Sequence, residues 1–130
     1  MEFKKLKLKN FVDSRGEVTV MEEDSLPFRV KRIFVIHHFS GVRGNHAHKE
    51  LEQLLVCLRG SLSLSLINRD FSAQFKVENP EEAIYIPPMT WTDLFDIEKD
   101  TIVLVLASEK YEMADYIGDK TEFMKLIGRE

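Results

Sequence analysis

The sequence contains little cysteine, proline or glycine, and no long uninterrupted apolar run. Its 130 residues include one cysteine, four prolines and six glycines. A single cysteine excludes an intrachain disulfide, and the apolar neighbours of Cys57 predict a buried thiol in a reducing compartment. No window is long enough for a membrane span or for the apolar core of a signal peptide. We therefore expect a cytoplasmic protein with no membrane partner.

The charge balance excludes another class of partner. There are 18 basic and 22 acidic residues, which gives a formal net charge of −4. This balance gives no support to nucleic-acid binding, which usually requires a basic surface. The length predicts a single domain over residues 1–130, too short for a catalytic domain with a separate binding domain.

Short apolar runs separated by turn signals predict an all-β fold. Residues 61–66 alternate serine and leucine, as in a strand with one buried face. Turns are expected at residues 60–61 and 68–70, and a short C-terminal helix over residues 119–127. An N-terminal strand over residues 3–11 is a candidate for pairing with a second subunit. The predicted strands lie in residues 18–20, 30–39, 51–58, 62–67, 71–77, 83–86 and 102–107.

The most informative segment contains two histidines separated by one residue. Side chains alternate along a strand, so His46 and His48 point the same way and can reach one ligand. With Gln53 and Gly60 after them, they match the first sequence motif of the cupins, except that Gln53 stands where metal-binding cupins usually have a glutamate. The expected second motif, in residues 85–92, contains no histidine.

We interpret this pattern as a cupin pocket without a metal. An amide is a poor ligand for a divalent cation, whereas neutral histidines suit proton transfer near neutral pH. Two other interpretations stay open from the residues alone. Glu50 or Glu52 could supply a metal-binding carboxylate in another register, and the histidines could be ordinary surface residues.

Several segments together resemble the sugar 3,4-ketoisomerases, small cupins that act on dTDP-4-keto-6-deoxyglucose in the synthesis of 3-amino-3,6-dideoxysugars for surface polysaccharides. The resemblance implies a cupin-type double-stranded β-helix (jelly roll) with a short C-terminal helix, and a homodimer. It also implies a proton transfer through an enediol, for which no nicotinamide or flavin cofactor is needed. The matching segments are 13–16, 27–28, 32–34, 43–49 with Gln53, Trp91, 104–108, Tyr111 and 115–117.

The resemblance also assigns roles to individual residues. His46 and His48 are the expected acid/base residues, without an assignment of which is the principal base. Arg15 and Arg43 are the expected diphosphate ligands, because a guanidinium binds phosphate oxygens in pairs. A surface ion pair is the alternative for either arginine.

Four further residues are candidates for substrate binding. Arg32 is a weaker candidate for the same pocket, and Gln53 is expected to bind a sugar oxygen or to orient a histidine. Trp91 is expected either to stack on thymine or to fill the barrel mouth. His37 is expected to take over hydrogen bonding where related enzymes have tyrosines, since this strand has Phe34 and Val35, and an ordinary structural role is the alternative.

Other functions compatible with the sequence are a deoxysugar 3,5-epimerase, a non-enzymatic nucleotide-sugar-binding cupin and a metal-dependent enzyme. The configuration at carbon 4 of the product, galacto or gluco, depends on which face of the enediol receives the proton.

Overall fold

The computed structural model describes residues 2–129, which form mainly antiparallel β-strands. Two single 3-10 turns, Glu23–Ser25 and Met113–Asp115, lie in connecting segments. The strands are β1 (Lys4–Lys7), β2 (Lys9–Asp13), β3 (Gly16–Val20), β4 (Arg32–Ile36), β5 (Arg43–His48), β6 (Gln53–Arg59), β7 (Leu62–Ile67), β8 (Ser72–Val77), β9 (Glu82–Ile86), β10 (Trp91–Phe95), β11 (Ile102–Ala107) and β12 (Tyr116–Ile117), and the helix α1 is Lys120–Leu126.

The strands form two five-stranded sheets and a separate hairpin. One sheet has the order β1-β9-β6-β11-β4, the other has the order β12-β5-β10-β7-β8, and β2 pairs with β3. The strand pairs are antiparallel. This is the all-β jelly roll with a short C-terminal helix that the sequence predicts, so the fold class is confirmed.

The core lies between the two sheets and follows from the alternation of side chains. In β7, Leu62, Leu64 and Leu66 are at most 1 % exposed, whereas the serines between them are half-buried. Cys57 is a buried free thiol in the same core, as predicted. Each fully buried leucine contributes roughly 2 kcal/mol of transfer free energy, so this layer holds the sheets together.

Local signals place several boundaries where the sequence predicts them. Gly60 has φ +81° in the turn between β6 and β7, a conformation that costs glycine little. Helix α1 begins after Asp119, whose side chain accepts a hydrogen bond from Glu122 N at 3.1 Å.

Two strand predictions were incomplete. The expected N-terminal strand is two strands, because the chain turns from one sheet into the hairpin at Leu8, which is 5 % exposed. Strand β10 does not appear among the apolar runs, because Thr92 and Asp93 interrupt the apolar pattern. No helix in the described part of the chain is long and apolar enough to cross a membrane.

Candidate active site

A cavity of about 460 Å³ lies between the two sheets. Its size is within the usual range for small-molecule sites. Apolar side chains from β4, β6, β9 and β11 form one wall, and β5 with its neighbours β10 and β12 forms the other. The lining residues are Phe34, Ile36, Val42, Arg43, Gly44, Asn45, His46, His48, Gln53, Leu55, Ile86, Thr92, Leu94, Val105 and Tyr116.

A bulge in β5 shapes the histidine segment. Thr92 of β10 pairs with His46, and the next residue of β10 pairs with Gly44, so that Asn45 is the extra residue. Asn45 has φ +56° and Gly44 has φ +93°. A Cβ on Gly44 would lie 2.7 Å from the backbone oxygen of Thr92, so both the conformation and the space favour glycine. Bulges beside a functional site commonly redirect a side chain.

The two histidines face the cavity from the same side of β5. Their rings lie edge to face, with centroids 4.9 Å apart. Ala47, between them, points to the opposite face and is completely buried. The alternation predicted from the His-x-His spacing is therefore present.

Each histidine has one ring nitrogen in a hydrogen bond with an oxygen. His46 Nδ1 lies 2.9 Å from Gly44 O, and His48 Nδ1 lies 3.0 Å from Asp115 Oδ2. A carbonyl and an ionised carboxylate can only accept, so Nδ1 donates in both rings. In the neutral form of each histidine, Nε2 is then the acceptor nitrogen.

Burial determines the protonation state of His48. Its side chain is only 5 % exposed, and this desolvation, together with the nearby His46, lowers its pKa to about 4. The hydrogen bond and negative charge of Asp115 oppose this shift, whereas Arg32 adds to it. His48 is therefore neutral near pH 7 and able to accept a proton.

Two cavity residues have unused hydrogen-bonding groups. The hydroxyl oxygen of Thr92 is buried without a partner among residues 2–129. Gln53 lines the same cavity, and its side-chain amide has no hydrogen-bond partner in the described part of the chain. Buried polar groups normally have partners, so the Thr92 hydroxyl is suited to a polar ligand, and the half-buried amide of Gln53 is available to the same ligand.

The donor set does not fit a transition-metal ion. Gln53 lines the cavity, whereas Glu52 Oε1 accepts a hydrogen bond from Tyr85 at 2.6 Å and Glu50 is exposed. Among residues 2–129, no group of three or more histidine, cysteine or acidic side chains is arranged to hold a metal ion. Zinc sites normally have at least three such ligands.

Comparisons with known proteins agree with this geometry. The model of the FdtA family (WxcM-like, C-terminal) matches residues 1–128. The chain is 37 % identical to TDP-4-oxo-6-deoxy-alpha-D-glucose-3,4-oxoisomerase of Aneurinibacillus thermoaerophilus, over 99 % of this chain and 95 % of that protein.

This chain belongs to the FdtA family. Two crystal structures of 3,4-ketoisomerases are similar to it throughout. The sugar 3,4-ketoisomerase QdtA of Thermoanaerobacterium thermosaccharolyticum, in complex with TDP, is 32 % identical with a TM-score of 0.92, over 98 % of this chain and 95 % of that one. A 3,4-ketoisomerase of Helicobacter canadensis is 31 % identical with a TM-score of 0.92, over 98 % of each chain. The predicted resemblance and the prediction of an isomerase are confirmed.

The two arginines expected to bind diphosphate occupy different positions in this FdtA-family chain. Arg43 lines the cavity at the start of β5 and is exposed, with no ion pair among residues 2–129. Arg15 lies at the tip of the β2–β3 hairpin, where its side chain is 88 % exposed and lies 2.7 Å from Asp13. Within one chain, only Arg43 reaches the cavity.

Arg32 lies beside the cavity. Its guanidinium carbon is 5.0 Å from the ring centroid of Phe34 and 5.7 Å from that of Tyr111. Its Nε is buried without a hydrogen-bond partner in the described residues. Arg32 therefore adds positive charge near His48, consistent with its effect on the pKa of that residue.

His37 and Trp91 do not line the cavity. Strand β4 turns Arg32, Phe34 and Ile36 inward, so His37, one residue beyond its end, is exposed against His38 with ring centroids 4.9 Å apart. Trp91 is 3 % exposed and packs on Phe123 at 5.7 Å. Side chains alternate along a strand, which explains why His37 does not point into the cavity. Two uses were expected for Trp91, stacking on thymine and filling the barrel mouth, and its buried position favours packing over stacking.

Sequence reasoning did not find three polar residues of the site. Asp115 and Tyr116 come from the segment that pairs with β5, and the ring of Tyr116 lies 4.3 Å from that of His48. Thr92 is the strand partner of His46. The resemblance of residues 115–117 to the sugar 3,4-ketoisomerases was the one feature of the sequence that could have indicated Asp115 and Tyr116. Thr92 follows the proline pair of the second cupin motif.

Proposed function

We propose that this protein is a 3,4-ketoisomerase that converts dTDP-4-keto-6-deoxyglucose to a dTDP-3-keto-6-deoxyhexose. The observation that carries this proposal is the pair of histidines in one cavity, each with Nδ1 donating to the protein and Nε2 free for substrate. The family enzymes named above support the substrate class, since one acts on this 4-oxo sugar by name and another was crystallised with TDP.

The reaction moves a carbonyl group between neighbouring carbons. A base removes the proton from carbon 3, next to the carbon 4 ketone, oxygen 4 takes up a proton, and an enediol with a carbon 3–carbon 4 double bond forms. A proton is then added at carbon 4, the hydroxyl proton leaves oxygen 3, and a ketone remains at carbon 3. Hydrogen is neither gained nor lost overall, so no external oxidant or reductant takes part.

His48 is the proposed base at carbon 3. It is neutral near pH 7 because burial lowers its pKa to about 4. The carboxylate of Asp115, 3.0 Å from Nδ1, stabilises the imidazolium that forms when Nε2 takes the proton. His46, with its ring 4.9 Å away, is the proposed second acid/base group for the oxygens and for carbon 4. One such group contributes about 10²- to 10⁴-fold.

The remaining polar groups of the cavity are proposed to bind the substrate. Gln53 and Thr92 have unused hydrogen-bonding capacity for sugar oxygens. Arg43, exposed at the start of β5, is suited to the diphosphate. Which face of the enediol these contacts present to the acid decides whether carbon 4 has the galacto or the gluco configuration.

The proposal includes a homodimer. Phe11 and Val18 are cross-strand partners in the β2–β3 hairpin and are 62 % and 61 % exposed. On the outer face of the edge strand β4, Ile33 is also 61 % exposed. Apolar patches of this kind are typical of interaction surfaces. Pairing of two hairpins with two such faces would bury these side chains, and closed twofold dimers are the commonest assembly.

A dimer gives Arg15 a route to an active site. Arg15 does not line the cavity of its own chain, so the proposed diphosphate contact is made in the cavity of the partner subunit. Complementation tests this arrangement. Arg15→Ala and His48→Asn chains, each expected to be inactive alone, are co-expressed and purified together as a random mixture of homodimers and mixed dimers.

Contact across the dimer predicts recovery of about one quarter of wild-type activity, because half of the random dimers are mixed and half of their sites are intact. Contact within one chain predicts no recovery. A monomer by light scattering would refute the dimer itself.

The product chemistry indicates the next step. A ketone at carbon 3 is the group that an aminotransferase requires, which agrees with a role in making 3-amino-3,6-dideoxysugars for surface polysaccharides. We further propose that residues 1–130 act as one domain and that the protein is cytoplasmic, where a free thiol such as Cys57 persists in reduced form.

The function is tested with chelator-treated protein and dTDP-4-keto-6-deoxyglucose labelled with ¹³C at carbons 3 and 4. The proposal predicts that the ketone signal moves from carbon 4 to carbon 3, and that the couplings of the product identify its configuration. Binding without conversion would instead support a sugar-binding cupin. Solvent exchange at carbon 5 would support a 3,5-epimerase, and activity only after addition of a metal would support a metal-dependent enzyme.

A further inference from the structure

Asp115 is held against the end of β5 by three hydrogen bonds. Its backbone oxygen accepts from Lys49 N at 2.9 Å, Oδ1 accepts from Glu50 N at 2.8 Å, and Oδ2 lies 3.0 Å from His48 Nδ1. The next residue, Tyr116, is the strand partner of His48. Both carboxylate oxygens of Asp115 therefore accept hydrogen bonds from the segment that contains His48 and Glu50.

We propose that Asp115 is a positioning residue that fixes the tautomer and orientation of His48. This inference rests on the proposed function, because it specifies how the proposed base is kept ready. With Nδ1–H donated to Asp115, Nε2 of the neutral ring is left without a proton, and His48 lines the cavity with this nitrogen as its acceptor. The opposite tautomer would present an N–H to the substrate and could not remove a proton.

The number of acceptors makes the carboxylate necessary. Two donors, Glu50 N–H and His48 Nδ1–H, require two acceptor oxygens on residue 115. An asparagine has one oxygen and one NH₂ group. The backbone N–H cannot change its role, whereas an imidazole can move its proton. In Asp115→Asn the amide oxygen is therefore expected to face Glu50 N, and the NH₂ group to face His48 and favour the wrong tautomer.

His46 provides an internal reference. Its Nδ1 donates to the backbone oxygen of Gly44, 2.9 Å away, and does not contact Asp115. A substitution at residue 115 should therefore change the tautomer of His48 and leave that of His46 unchanged. A general disturbance of the fold would affect both rings.

The test is a long-range ¹H–¹⁵N spectrum of the imidazoles in the substrate-free protein. In the wild type, both histidines are expected as the Nδ1–H tautomer. In Asp115→Asn, His48 is expected to gain the Nε2–H tautomer while His46 keeps its own. The control is Glu112→Gln at the N-cap of the same 3-10 turn, where Oε1 can still accept from Ala114 N. It should leave both tautomers as in the wild type.

Kinetics supply the second reading. Asp115→Asn is expected to lower kcat by about 100-fold or more, with KM changed less than about threefold, because the substrate contacts stay in place while the base is lost. Glu112→Gln should keep both values.

An Nε2–H tautomer for His48 in the wild-type spectrum would overturn the inference, and this result needs no variant that folds. So would an Asp115→Asn protein with unchanged tautomer and kcat. A wild type without isomerase activity that still shows the tautomer change would refute the proposed function and leave the positioning role standing.

Discussion

The rings of His46 and His48 lie edge to face at 90°, with centroids 4.9 Å apart. Each ring turns Nδ1 towards a fixed oxygen of the protein. Both residues line one cavity, and in the neutral form of each ring Nε2 is the acceptor nitrogen, which suits a proton transfer between neighbouring carbons.

His48→Asn should reduce kcat by about 10²- to 10⁴-fold, the usual contribution of a general acid or base. Binding of TDP should stay within about threefold of wild type, because the imidazole is assigned no contact with the nucleotide. Turnover is measured by NMR and TDP affinity by calorimetry. The matched control is His38→Asn, at an exposed residue with φ +53° that asparagine tolerates. Full activity in His48→Asn would remove this residue from the mechanism.

The buried His48 also predicts a pH dependence of stability. The pKa of His48 is about 4 in the folded protein, against 6.5 for an ordinary histidine. Between these values the unfolded chain binds a proton that the folded chain does not, so stability is complete above pH 6.5 and decreases towards pH 4. The side chains that act on the pKa of His48 are His46, Asp115 and Arg32.

The loss should approach roughly 3 kcal/mol for a shift of this size. Urea unfolding at pH 4.5 and pH 7 measures it. His48→Gln, which cannot titrate, should show a smaller decrease in the free energy of unfolding than the wild type. An equal decrease in both proteins would contradict the lowered pKa.

Gly44→Ala should destabilise the bulge of β5. The added Cβ would lie 2.7 Å from Thr92 O and 3.2 Å from Leu94 Cδ1, and φ is +93°. The expected cost is about 1–3 kcal/mol, with a loss of kcat because the bulge orients His46. Gly118→Ala is the matched control, since a Cβ there would meet no atom within 4 Å. Equal urea midpoints for the two variants would show that the bulge does not require glycine.

Gln53→Glu should create a metal site from the cavity. A carboxylate would join two imidazoles, which is a recognised ligand set for divalent transition metals. Calorimetry with Co²⁺ should show binding at least about tenfold tighter than in the wild type, and isomerase activity should fall because the amide is lost. Gln74→Glu on the exposed edge strand β8 is the control. Unchanged Co²⁺ affinity would mean that residue 53 does not share a site with the histidines.

The sequence predicts well those features that depend on local patterns. The alternating serines and leucines predicted strand β7, and Gly60 predicted the turn before it. The spacing of His46 and His48 predicted that both side chains face one cavity. These features need only the period of a strand and the conformational freedom of glycine.

Features that depend on distant pairing were not predicted. Asp115 contacts His48 across 67 residues of sequence, and nothing local to either residue indicates that pairing. The prediction that His37 points into the pocket was wrong. Which side of β4 faces the core is set by its pairing with β11 and not by the composition of the strand itself. Trp91 packs on Phe123 of α1, and the sequence pattern of the strands does not predict that this helix lies against β10.

The most direct test of the account follows deuterium. Wild-type protein and His48→Asn are each incubated with dTDP-4-keto-6-deoxyglucose in deuterated water, and proton NMR follows the hydrogens at carbons 3 and 4. With His48 as the base, the wild type is expected to form the 3-keto sugar with deuterium at carbon 4, and His48→Asn to bind the substrate without exchanging its carbon 3 hydrogen. Rapid exchange at carbon 3 in His48→Asn, or wild-type protein that leaves the substrate unchanged, would contradict it.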